Sequence, residues 1–181
     1  MRTLTRAGLA VAALGTAVLG LAAPATASAP ASVSTSPAVV HPDTDTCNNS
    51  FGNPNTCAQA VTWAKNHRST ADNPAYVGMC DHVMGLAYGW AHSGSTTAHA
   101  HWLAIPAAQK HAGDRSVPAG GLAFFSNGGA GHVMISIGGG TFISTDINGS
   151  GTLGNTTIAT VESKWGEHYD GWAEPWFQAN H

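Results

Sequence analysis

Apolar and polar positions divide the chain into an opening apolar run, a helical half and a strand-like half. Residues 9 to 23 form an almost unbroken run of Leu, Ala, Val and Gly. Beyond it, apolar residues recur at helical spacing in three places. Thr56 to His67 carries Ala58, Val61, Trp63 and Ala64 among polar residues, with Thr56 placed to cap a helix. Cys80 to Trp90 carries Val83, Met84, Leu86, Ala87 and Trp90 near the helical period, so a helix starts at or just before Cys80, and Ser93-Gly94-Ser95 breaks it. Thr97 to Ile105 predicts a short helix stopped by Pro106. From Leu122 the pattern changes to short β-favouring runs separated by glycine: Leu122 to Ser126, His132 to Ile137, Thr141 to Ile147 and Thr156 to Val161, with Gly171 to Phe177 as a last strand. Gly138-Gly139-Gly140 marks a hairpin turn, and the stretches 68–78 and 109–121 read as loops. Helices followed by an antiparallel sheet predict an α+β domain.

The opening run acquires a meaning from its flanks. Arg2 and Arg6 precede it, and Pro24-Ala25-Thr26-Ala27 follows it as a small-residue cleavage site. Residues 1–27 therefore read as a secretory signal peptide, and no later stretch is apolar enough to span a membrane. Residues 28–43 hold Ser, Ala, Pro, Thr and Val with almost no charge, too little to bury against chain entropy, and read as a disordered linker. Residues 44–181 are then one domain. The expected location is extracellular or at the cell wall, with no membrane association after cleavage and a monomeric state.

Charge narrows the partners. Without Arg2 and Arg6, five lysines and arginines stand against ten carboxylates, a net charge of −5. No basic patch is visible, which argues against nucleic acid.

The three cysteines change the picture more. Export permits disulfides, and Cys47 and Cys57 lie close together in a polar stretch, so they are the expected pair. Cys80 is left over: either a reactive thiol or an inert buried one. A helix N-terminus lowers a thiol pKa, and Gly78-Met79-Cys80 supplies that setting, although the Asp81 carboxylate opposes it. Among ten histidines, His132 is the candidate base, because Gly128-Gly129-Ala130-Gly131 delivers it at the start of a β-strand. If the three glycines 138–140 form the turn, Ile137 faces Thr141, and Asp146 lies opposite His132 with Ser144 opposite Met134 on the same face. Asp146 is then the residue that orients the imidazole, with Ser144 as the alternative. A two-residue turn would move Asp146 to the other face.

These residues carry a resemblance. Cys80 at a helix start, then Gly120-Gly121-Leu122-Ala123-Phe124-Phe125, then Gly131-His132-Val133-Met134-Ile135-Ser136-Ile137-Gly138, resembles the NlpC/P60 and CHAP group of papain-like cell-wall hydrolases across residues 74 to 147. Phe142 to Ile147, Lys164-Trp165-Gly166 and Tyr169-Asp170-Gly171-Trp172 are similar to exported actinobacterial and phage-associated relatives of that group. The resemblance implies helices packed on a small antiparallel sheet, a Cys80–His132 thiol site with Asp146 or Ser144 as its third member, and hydrolysis of peptide or amide bonds of the peptidoglycan stem peptide without a cofactor. A D,L-endopeptidase and an N-acetylmuramoyl-L-alanine amidase both fit. This chain departs from the pattern at Asp81 and His82, where the family has Ser-Gly, and at Gly121, where it has Asp.

Other features stand beside that reading. Tyr76, Trp102 and Trp165 are aromatic candidates for a substrate groove, with Tyr76 just ahead of the Cys80 turn, and His82 lies beside the thiol in sequence; core packing is the ordinary alternative for the aromatics. His82, His92, His99 and His101 cluster in sequence, but no further ligand set has metal spacing, so no metal is expected. A non-catalytic wall-binding module that keeps the fold is the rival from another class.

Overall fold

The structure, a computed structural model, describes residues 47–181; the expected signal peptide at 1–27 and the expected linker at 28–43 lie outside the described residues. The described residues form an α+β unit built on a six-stranded antiparallel sheet. In chain order the elements are α1 (Cys57–Asn66), α2 (Cys80–Ala87), α3 (Ala98–Ala104), β1 (Lys110–Ala112), β2 (Leu122–Ser126), β3 (His132–Gly138), β4 (Thr141–Thr145), β5 (Leu153–Thr156), α4 (Ile158–Trp165) and β6 (His168–Ala173). The strand order across the sheet is β1-β6-β2-β3-β4-β5. No helix among the described residues is long and apolar enough to cross a membrane.

Local chemistry sets the helix starts. Thr56 and Gln59 exchange side-chain and backbone hydrogen bonds in a capping box ahead of α1. Thr97 caps α3 by accepting from the Ala100 N–H. Cys47 and Cys57 are joined in a disulfide that pins the segment before α1 to its first residue. That staple presses against Gly120, at φ +91°, where a Cβ would come within 2.6 Å of Cys57 Cβ, so only glycine passes.

The strands alternate between the two faces of the sheet. Leu122, Phe124, Val133, Ile135 and Ile143 share one core with α1, α2 and α3. Ala123, Phe125, Met134 and Phe142 share the other with α4, Tyr169 and Trp172. Helix α2 packs across β3 and β4, which carries Cys80 to the sheet's centre.

Three expectations change. Thr156 to Val161 is not a strand: β5 ends at Thr156, and Thr157 caps α4 by accepting from the Thr160 N–H. Its β-branched residues mimic a strand, but Ile158 and Val161 sit three apart and bury one helical face. The β3–β4 hairpin pairs Ile135 with Ile143 and Ser136 with Phe142, the expected register, but a bulge near the turn pairs Gly138 instead of Ile137 with Thr141. The stretch 109–121, expected to be all loop, contributes the short edge strand β1.

Candidate active site

Cys80 is the first residue of α2, and its side chain is 8% exposed. Met79 precedes it as an N-cap without a side-chain hydrogen bond, so no side chain covers the first-turn amides. The Val133 N–H points at the thiol, as does that of Asp81. Val133 follows His132, so both lie at the same end of β3 but on opposite faces of the sheet: the His132 ring packs with Phe125 and Trp165 on the α4 side, whereas Cys80 belongs to the core shared by α1, α2 and α3. The thiol pKa is pushed up to about 12, first by burial and further by the charges of Asp81 and Glu167, against the lowering effect of those two backbone N–H groups. The dipole of α2 therefore does not prevail, and the resting thiol is neutral.

His132 is 6% exposed, and burial drives its pKa down to about 4, with the Asp146 charge opposing. The imidazole is neutral at pH 7. Its Nε2 lies 2.6 Å from Ser144 Oγ, and the Ser144 hydroxyl donates to the Thr145 carbonyl at 3.0 Å. A hydroxyl has one proton, so Oγ must accept from Nε2–H. That direction fixes the tautomer: Nδ1 carries the lone pair and is left to take a proton. Trp165 covers the ring edge-on at a centroid distance of 4.8 Å.

Asp146 does not hydrogen-bond the imidazole. Strand β4 ends at Thr145, and Asp146 turns out of the sheet at φ +60°, so the expected cross-strand pairing stops one residue short of it. Its carboxylate accepts from the Gly78 N–H at 3.0 Å and the Gly151 N–H at 2.6 Å, bracing the turn that delivers Cys80. Ser144 takes the orienting position, and Asp146 acts on His132 through charge.

Asp81 points inward and belongs to a buried network. One oxygen faces His101 Nδ1 at 2.5 Å, and the other accepts from the Ser93 hydroxyl. His101 Nε2 lies 2.6 Å from the Trp176 carbonyl, which only accepts, so Nε2 donates. The pairing engages both Asp81 oxygens and both ring nitrogens of His101, so this member of the sequence cluster of histidines is not free. Among the described residues no three His, Cys, Asp or Glu side chains converge to hold a metal.

A cleft of about 110 Å³ opens beside the thiol. Of the four substrate-binding candidates, His82 lines it, and Trp165 stands against the His132 ring. Tyr76 and Trp102 instead pack against the helical core, Trp102 beneath the Lys110 ammonium. Sequence reasoning missed Glu167, which sits close enough to influence Cys80 and is itself raised by burial and by Asp170. Its Oε1 accepts from the Asn127 side-chain amide, in the loop ahead of His132, at 3.1 Å, while Oε2 is buried without a partner among the described residues. A carboxylate at the far end of the chain carries no local signal of that proximity.

Neither the protein-family models nor the curated proteins compared with the chain match it.

Proposed function

We propose that the protein is a secreted cysteine hydrolase of papain-like, NlpC/P60 or CHAP type that cleaves amide bonds in the peptidoglycan stem peptide. The observation that carries the reading is the Ser144–His132 hydrogen bond, which leaves Nδ1 as proton acceptor at the end of β3 where the Cys80 thiol also lies. In this reading Cys80 Sγ attacks the substrate carbonyl while its proton passes to His132 Nδ1. The imidazolium then protonates the leaving amine, giving a thioester. His132, neutral again, deprotonates a water that attacks the thioester, and the thiol is regenerated. The uncapped first-turn amides of α2 are suited to receive the oxyanion. Because the resting pair is neutral, proton transfer accompanies attack and does not precede it.

The binding-module reading draws on the same burial: a thiol held neutral at 8% exposure suits a scaffold as well as an enzyme. Peptidoglycan digestion by the protein and by Cys80→Ala, with products identified by mass spectrometry, separates the two. New amine termini from the wild type alone support the hydrolase and name the bond. No cleavage by either, with wall binding retained, supports the module.

A further inference from the structure

The cleft beside Cys80 has a composition that restricts what it can hold. Its walls come from the start of α2, the segment leading into α3 and the loop before β3. Gly78, Ala98, Ala130 and Gly131 present almost no side chain. Gly131 has φ +67°, and a Cβ there would lie 2.4 Å from the Phe125 carbonyl oxygen, so that wall stays bare. The remaining wall is the Met79 side chain and the hydroxyl-bearing segment Ser95, Thr96 and Thr97. Asp81 borders the cleft, but both its oxygens are engaged by Ser93 and His101. His82 is the other titratable side chain of the lining, apart from the thiol.

The cleft is also narrow and braced. Its 110 Å³ is space for three or four waters at about 30 Å³ each, well short of the roughly 300–1,000 Å³ of a drug-sized site. The His99 N–H donates to the Ala130 carbonyl at 2.8 Å, tying the α3 wall to the loop wall. Widening the cleft would break that bond. His132 is not part of the lining, yet in the hydrolase reading it protonates the leaving amine, so the amine leaves on the imidazole side and the cleft faces the acyl side.

We propose that this cleft is the acyl-side subsite and accepts one small residue, alanine or glycine, excluding bulky ones. The inference rests on the hydrolase reading, and it narrows the scissile bond to one whose acyl group comes from such a residue.

The test is alkylation of Cys80 in the full chain by N-blocked alanyl, glycyl, phenylalanyl and glutamyl chloromethyl ketones, followed by intact mass. Rates are normalised to iodoacetamide. The alanyl and glycyl reagents should react at least tenfold faster than the other two. Ala130 is exposed, so Ala130→Leu should fold, and it should slow the alanyl reagent about tenfold after normalisation. Equal rates for the four reagents, a faster glutamyl or phenylalanyl reagent, or no alkylation by any of them would overturn the proposal. Selective alkylation without peptidoglycan cleavage would uphold the subsite and sink peptidoglycan as the substrate. Cleavage after a bulky acyl residue would do the reverse.

Discussion

His132 and Ser144 meet across β3 and β4 at 2.6 Å, and the serine passes its own proton on to the Thr145 carbonyl. This one-way chain of donors makes Ser144 a positioning residue. Ser144→Ala should leave Nε2–H buried and unpaired, a penalty of about 1–3 kcal/mol. Hydrolysis should fall about tenfold to a hundredfold. Nitrogen chemical shifts of the His132 ring should report a changed tautomer ratio, and unchanged shifts would refute the assignment.

Asp146 predicts a different outcome. Asp146→Ala frees the Gly78 and Gly151 amides and should lower stability by about 1–3 kcal/mol, read by urea unfolding. Asp146→Asn removes the charge that raises the His132 pKa, so that pKa should move further down in an NMR titration.

Acid pH should weaken the fold through His132. The folded imidazole takes a proton only near pH 4, whereas in the unfolded chain it does so near 6.5. Between those values the unfolded state binds more protons, so stability present above pH 6.5 is lost as pH falls toward 4, by roughly 3 kcal/mol at most. Unfolding at pH 7, 5.5 and 4 should show that slope, and His132→Gln should reduce it. The acid limb of any hydrolytic activity belongs near pH 4 for the same reason.

The buried thiol makes the complementary alkaline prediction. Burial holds Cys80 neutral to about pH 12, so its alkylation by iodoacetamide should keep rising through pH 9. A plateau near the ordinary thiol value would contradict the neutral resting pair.

Breaking the Asp81–His101 pair should cost more than any surface change. Asp81→Ala strands a buried imidazole and should destabilise by about 3–5 kcal/mol. His101→Ala should cost a similar amount, and the double variant should cost less than the sum of the two.

The helices at Thr56 and Thr97 were legible because a cap and an apolar stripe sit in one short window. The strands from Leu122 and His132 were legible because their runs are bounded by glycine or polar turns. The stretch 156–161 misled because β-branched residues suit a strand by propensity while Thr157 and the three-residue spacing of Ile158 and Val161 build a helix. In the site, Cys80 and His132 stood out by their neighbours, but the choice between Ser144 and Asp146 turned on where β4 leaves the sheet, and no local pattern marks that point.

The sequence by itself determined the odd thiol, the Cys47–Cys57 pair, the α+β order and the strand that carries His132, because each depends on spacing or residue chemistry within a short span. Tertiary structure alone decided that Ser144 holds the imidazole, that Asp81 pairs with His101, that Glu167 returns from the far end of the chain toward the thiol, and that burial outweighs the helix dipole at Cys80. Those outcomes depend on which groups folding brings together and how much water it removes from them, and both are properties of the packed chain.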